Sequence, residues 1–447
     1  MFKKLSELLF YISFGAGLAF GTSSFTIIAG LFEVVSAPWV LAAILASGLI
    51  CVLISLSVAE LASMYPSAPG IRTYLKIGLS DQISLVLTFL YLVFMVLVAG
   101  IEANMFALVL SAVFPAVSPV AAISGLIVFT VVVNCFAIEF PRVLQVVTTL
   151  AMILFVIGMG IYGVVSSPTD YVFTSLAAGC RHEEVFLLPI AMVMSIYLFT
   201  GFEWVTLLGF SPQSYERRIP VSMPLAIATN VVSYSALTVG LACVMSRVQI
   251  HETPIPQLPY LTALLGGSGA HVACGLSFLA VFSTFNAGIM SGSRLMYTLT
   301  REGKLPRWCA IMWYRTGTPI GAIFTLGILS LASSLFIYQF RLELPAAIVG
   351  SSIVTLVYAA FMLAALRLRK SQHSVRRRFA SPVPVWAQWL VIVVLLLIGL
   401  STLVSSPVNS GQVAIGLLAA FVIAIALARR SHTKSTAAIG DTQGDAS

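Results

Sequence analysis

The chain has 447 residues, of which 59% are apolar and 9% charged, with a mean hydropathy of +1.02. Soluble domains carry about 25% charged residues, so this composition excludes a water-soluble fold and marks an integral membrane protein. Twenty-four Lys and Arg against 16 Asp and Glu leave a formal +8, which in this setting reports membrane topology and calls for no nucleic-acid partner.

A membrane-spanning helix needs about 20 apolar residues. Twelve runs meet that need, at roughly 8–32, 37–62, 83–113, 119–137, 142–166, 186–210, 222–246, 271–297, 320–339, 344–366, 384–405 and 410–428. They are apolar on every face and too long for strands, which excludes a β-barrel. The fold class is therefore an all-α polytopic membrane protein, with a single membrane domain over 1–430. The stretch 431–447, rich in Ser, Thr, Ala and Gly, is expected to form a disordered cytoplasmic tail. The first run is too long for a signal-peptide core and is read as retained. Six Cys, at 51, 135, 180, 243, 274 and 309, show no metal-type spacing and read as small buried hydrophobes, so no cofactor is expected.

Positive charge collects on the cytoplasmic side of membrane proteins. With the N-terminus inside, all the Lys and Arg except Arg181, Arg247 and Arg341 fall in inner loops or tails. This places both termini in the cytoplasm of a multi-pass protein.

Function in a membrane protein shows where backbone or charge breaks the rules for living in lipid. The first span carries Gly15, Gly17, Gly21, Thr22, Ser23 and Ser24 in mid-run, and the sixth carries Phe199, Thr200, Gly201, Phe202 and Glu203. Two interrupted helices five spans apart fit a five-plus-five inverted repeat, 8–166 and 186–366, with spans 11 and 12 over 384–428 as additions. In such a repeat, freed N–H groups bind an anion and freed carbonyls a cation. Small residues also let helices pack closely; the matched positions and the adjacent carboxylate favour the interrupted reading.

Three carboxylates lie in or at the ends of spans. Glu203 sits in the sixth-span interruption and Glu102 well inside span 3; both are candidates for proton or cation coupling, with hydrogen-bonded scaffold as the alternative. Glu60, at the inner end of span 2 with Arg72 and Lys76 following, reads as a gate or loop salt bridge. In span 8, Ser283 and Thr284 facing carbonyls of span 1 form a candidate sodium site, against the simpler reading that each bonds the carbonyl four residues back. The cluster His182, Glu183, Glu184 reads as a short charged outer loop.

Four stretches together resemble the amino acid-polyamine-organocation superfamily. Ala59-Glu60 through Tyr65-Pro66 to Gly70 resembles the end of its span 2, and Phe199–Glu203 resembles its span 6 break. Arg217-Arg218-Ile219-Pro220 resembles its basic start of span 7, and Ser293-Arg294-Leu295 continuing to Arg301-Glu302-Gly303-Lys304-Leu305-Pro306 is similar to the loop after span 8 in its amino-acid permeases. The resemblance implies the leucine-transporter-like fold, alternating access and a central site for an amino acid or amine. It further implies that Gly21, Thr22 and Ser23 hold the substrate carboxylate, while Phe199, Thr200, Gly201 and Phe202 take its amino group and close over it. The chain departs from the family pattern at Ser23 for a third Gly, at Phe210 and Ser211 for an acidic pair, at Ala68-Pro69-Gly70 for Ala-Gly-Gly, and at Ala151 where relatives often carry a Lys.

The leading expectation is secondary transport or exchange of amino acids across a bacterial-type inner membrane, coupled to protons, to sodium or to counter-substrate. Phe20, Phe199, Phe202 and Trp204 near the breaks favour neutral, apolar side chains, whereas Glu102 with Glu203 keeps a cationic amino acid or polyamine open. A membrane-embedded enzyme lacks a clustered nucleophile and base, and a substrate sensor lacks a long cytoplasmic domain.

Overall fold

The computed structural model describes residues 2–66, 70–136, 139–168, 182–208, 214–251, 253–372, 375, 377–404 and 410–444. Ser67–Pro69, Cys180, Arg181, Phe210, Ser211 and Arg376 lie outside the described residues.

The described residues are helical, with one isolated bridge, Trp313 to Thr318, outside the helices. In chain order the helices are α1 (Phe2–Ala19), α2 (Ser23–Val34), α3 (Ala37–Met64), α4 (Gly70–Gly78), α5 (Asp81–Val113), α6 (Pro119–Cys135), α7 (Glu139–Ser166), α8 (Leu188–Tyr197), α9 (Ile219–Val244), α10 (Arg247–His251), α11 (Gln257–Leu265), α12 (Gly269–Arg301), α13 (Ile320–Phe340), α14 (Glu343–Ser371), α15 (Val385–Val404) and α16 (Ser410–Gly444). Several starts are written locally. Ser80 and Ser118 cap α5 and α6 by accepting from Ile83 and Ala121 N–H groups, and Pro38, Pro119 and Pro220 occupy first-turn positions where a missing N–H costs nothing.

Among the described residues, ten helical segments are long and apolar enough to cross a membrane, or eleven if α1 and α2, bent by 51° at their junction, count as one. The expected fourth span appears as α6, a 17-residue apolar helix below that length. The expected sixth span runs as α8, a turn at 198–201 and a tight helical stretch, Phe202–Leu207.

α16 runs on from its apolar segment to Gly444. Residues 431–444 contain no Pro and extend a helix already nucleated in the apolar segment, so each added residue costs only propagation.

α1 packs against α7, α9, α12 and the 202–207 stretch, and this cluster holds the candidate site.

Candidate functional site

The α1–α2 junction exposes backbone groups that must find partners. The last four carbonyls of a helix lack intrahelical donors, and every one at the end of α1 is satisfied. Ala16 O accepts from Phe20 N at 3.1 Å and from Asn230 Nδ2 at 3.3 Å. Gly17 O accepts from the hydroxyls of Ser283 and Thr284, at 3.2 and 3.4 Å, and Leu18 O from Thr284 at 3.2 Å. Ala19 O accepts from the Tyr234 hydroxyl at 2.8 Å.

Behind Ser283 stands a buried polar network that sequence reasoning missed. Gln145 of α7 donates its amide N–H to Ser283 Oγ at 2.8 Å and to Thr149 Oγ1 at 3.3 Å. Its carbonyl accepts from Asn286 Nδ2 at 2.9 Å, and Asn134 of α6 donates to Asn286 Oδ1 at 3.1 Å. Polar residues four apart on α7 and three apart on α12 were the available signal; helical spacing sets them on common faces.

The amide side of the junction belongs to α2, whose first N–H groups are unpaired within the helix. Glu102 of α5 fills that position: its carboxylate accepts from Ser23 N at 3.1 Å and from the Ser23 hydroxyl, with the residue 2% exposed. Thr22 donates its hydroxyl to Ser277 O at 2.9 Å, fixing the junction on α12. Gly21 is constrained by this arrangement, since a Cβ there would overlap the Glu102 carboxylate.

The turn after α8 faces the α1–α2 junction. After α8, Leu198, Phe199 and Thr200 make three-residue turns back to Ser195, Ile196 and Tyr197 carbonyls. Gly201 then takes φ +116°, a conformation glycine adopts freely, and a Cβ at this point would strike Leu18 of α1. Thr200 donates its hydroxyl back to Ile196 O at 3.1 Å. Glu203, fully buried, accepts from the hydroxyls of Tyr91 and Tyr358 (the latter at 2.8 Å) and from Gly201 N at 3.3 Å. Its charge is thus held by donors from α5, α14 and its own turn. Phe20 stacks on Tyr234 at 5.0 Å, Phe199 meets Tyr234 edge-on at 5.8 Å, and Phe202 lies 5.5 Å from Tyr358.

Between the breaks lie two small cavities of about 20 and 30 Å³ that share Leu18, Val98 and Trp204. The smaller is also walled by Ala19, Phe94, Glu102, Tyr197 and Thr200. A vestibule of about 1050 Å³ reaches Ser23 from one face, with Glu33, Arg341 and Glu343 on its wall. The structure therefore brings Gly21, Thr22, Ser23, Glu102, Ser283 and Thr284 to one junction and Phe199–Glu203 to the facing one.

At the opposite end, ion pairs close the bundle. Arg72, 1% exposed, pairs with Asp81 at 2.5 Å and Glu302 at 3.2 Å. Glu60 pairs with Arg369 at 2.5 Å and Arg377 at 3.6 Å rather than with Arg72 or Lys76, because α14 packs beside α3 while α4 carries Arg72 toward α5. Arg378 meets Glu216 at 2.6 Å, and Arg218 meets Glu7. Glu184, expected in a charged surface loop, is buried and accepts from Ser36 N and Oγ at 2.8 and 2.6 Å, tethering 182–187 to the start of α3.

Residues 8–428 match the model of a family described as amino acid permease. The chain belongs to this amino acid permease family. The cystine/glutamate transporter of Homo sapiens is 23% identical over 203 residues, 45% of this chain and 40% of that protein, so the chain matches less than half the length of that relative. An uncharacterized amino acid permease of Bacillus subtilis (strain 168), YvbW, is 23% identical over 437 residues, covering 93% of this chain and 92% of the relative. The solved structure of a manganese transporter from Eremococcus coleocola aligns with TM-score 0.60 at 14% identity, over 95% of this chain and 94% of that one. That likeness shows the fold, which is the leucine-transporter fold. The permease is thus a multi-pass membrane protein of an amino acid transport family.

Proposed function

We propose that this permease is a secondary active transporter of amino acids, neutral and apolar side chains preferred, working by alternating access. The observation that supports the reading is the 51° bend between α1 and α2 facing the turn at 198–201, with a cavity between them walled by Leu18, Phe94, Val98 and Trp204. In this reading the bent α1–α2 pair and α6 each count as one span, giving twelve, with the breaks opening the two halves of a five-plus-five inverted repeat. Both termini lie in the cytoplasm of a bacterial-type inner membrane. The vestibule bearing Arg341 then faces outward, and the Arg72 and Glu60 ion pairs close the inner end.

Coupling to protons is the better-supported mode. The α1 carbonyls expected to meet sodium each accept a hydrogen bond, so Ser283 and Thr284 act there as donors. Glu102, by contrast, walls the small cavity and accepts from Ser23, a residue that the vestibule reaches.

Purified protein in proteoliposomes, given labelled amino acids under proton, sodium and counter-substrate gradients, tests the reading. Gradient-dependent or exchange flux of leucine, methionine or phenylalanine is expected; no flux for any amino acid in a full panel overturns it. Glu102 as the one charge on the cavity wall among the described residues favours a second reading, a cationic amino acid or polyamine. Arginine or putrescine outcompeting leucine would select it.

A further inference from the structure

We propose that Glu102 is a built-in competitor for the substrate's carboxylate, so that binding of an amino acid releases Glu102 and loads it with a proton. The proposal rests on the transport reading above and adds to it a required substrate group and a proton acceptor.

The N-terminus of a helix attracts anions through its unpaired N–H groups and positive dipole end. The start of the 12-residue α2 is such a place, and the chain fills it with its own carboxylate, on Ser23 N and Oγ. The fit is built in, since any Cβ at Gly21 would collide with that carboxylate.

A second, independent feature points to a ligand. The Tyr197 hydroxyl and the Trp204 indole N–H are buried, at 6% and 2% exposure, and make no hydrogen bond of ordinary geometry within the protein. Both line the cavity that Glu102 walls. Buried polar groups are normally paired, so these two are donors awaiting a partner. At about 20 Å³ the cavity holds roughly one water. An amino acid therefore fits only if a wall group moves, and Ser23 is reached on its other side by the vestibule.

Two ionised carboxylates cannot share one pair of donors, because like charges at contact disfavour double ionisation. An incoming substrate carboxylate that takes Ser23 N–H and Oγ displaces Glu102 toward Tyr197 and Trp204. There the substrate's carboxylate on Ser23 is a like charge beside it and the walls Leu18, Phe94 and Val98 are apolar, so the ionised form of Glu102 is disfavoured and it takes a proton. The titratable groups facing Glu102 are Tyr197 of α8 and Tyr234 of α9, and no basic side chain acts on its carboxyl. On its own helix, Asp81 and Tyr91 are engaged by Arg72 and Glu203, and the sole acid of α2, Glu33, lies on the vestibule wall. The proton therefore resides on Glu102 and enters through the vestibule with the substrate.

The test is titration calorimetry of the full chain in lipid nanodiscs with leucine, methionine and phenylalanine. Each is paired with the amine lacking its carboxylate: 3-methylbutylamine, 3-(methylthio)propylamine and phenethylamine. Buffers of different ionisation enthalpy count the protons taken up. Wild type is expected to take up about one proton per amino acid bound, its affinity falling about tenfold per pH unit where free Glu102 is ionised, while the amines fail to compete. Glu102→Gln is expected to bind with no proton uptake and a flat pH profile, and Glu102→Asp to keep both. Amino-acid binding without proton uptake, equal binding of the amines, or proton uptake retained in Glu102→Gln overturns this proposal while leaving transport standing. No binding of any amino acid, together with no flux in the liposome panel, overturns the transport reading itself.

Discussion

Arg369 donates from Nε and Nη2 to one oxygen of Glu60, at 2.9 and 2.5 Å, joining residues 309 apart in the chain. The Glu60 side chain is 2% exposed and receives further donation from Ser381 N at 3.3 Å. α3, α14 and the segment leading into α15 are thus locked at the end of the bundle opposite the vestibule.

Removing Arg369 leaves a carboxylate in a buried position offset, among the described residues, by Arg377 at 3.6 Å and by the Ser381 N–H. Breaking a buried pair from one side costs about 3–5 kcal/mol, while replacing both partners by apolar groups is nearly neutral. Arg369→Met is expected to lower the melting temperature in detergent, and adding Glu60→Leu to restore much of it. Equal losses in the single and double variants would show that the pair adds nothing beyond packing.

Gly201→Ala is expected to be far more damaging than a typical loop Gly→Ala change. A left-handed backbone costs a non-glycine residue about 1–3 kcal/mol, and the added methyl also meets Leu18 across the facing break. Loss of substrate flux with a lowered melting temperature checks this, with Gly267→Ala, which meets open space, as the control.

Glu203 is held by two tyrosine hydroxyls and a backbone N–H, an arrangement expected to fix the turn at 198–203. Hydrogen bonds to a charged group contribute about 1.5–3 kcal/mol, and Tyr358→Phe is expected to destabilise by that order. Glu203→Gln is expected to lower stability yet keep proton-driven flux, measured as acidification-stimulated uptake. Uptake that loses its proton dependence in Glu203→Gln would move the coupling role from Glu102 to Glu203.

Much of this architecture could be read from residues alone, because lipid forces apolar length and penalises each exception. The runs 83–113 and 320–339 return as α5 and α13 within two residues, the bend between α1 and α2 falls at Gly21, and the turn after α8 falls at Gly201. Pairing was harder to read. The partner of Ser23 is Glu102, 79 residues away, and that of Glu60 is Arg369; nothing in local spacing encodes such contacts. The partnership of Gln145 with Ser283 and Asn286 is hidden for the same reason, since its meaning appears only when α7 and α12 meet α1.

That Gln145 network carries the last prediction. A sodium ion needs several oxygens with free lone pairs, yet Gly17 O and Leu18 O accept from Ser283 and Thr284, and Ser283 Oγ accepts from the Gln145 amide. The amide supplies hydrogen-bond donors where a cation would supply charge. Flux is therefore expected to be the same in sodium, potassium or choline buffers at constant ionic strength, and Ser283→Ala is expected to leave it indifferent to sodium. Gln145→Glu tests the argument from the other side. It sets a carboxylate among Ser283 Oγ, Thr149 Oγ1 and Gly17 O, removing the donor and adding an anionic oxygen. That variant is expected to gain a sodium-dependent rise in melting temperature that wild type lacks. Sodium stabilisation of wild type, abolished by Ser283→Ala, would instead show that the hydroxyls turn to a cation and that the amide is not its substitute.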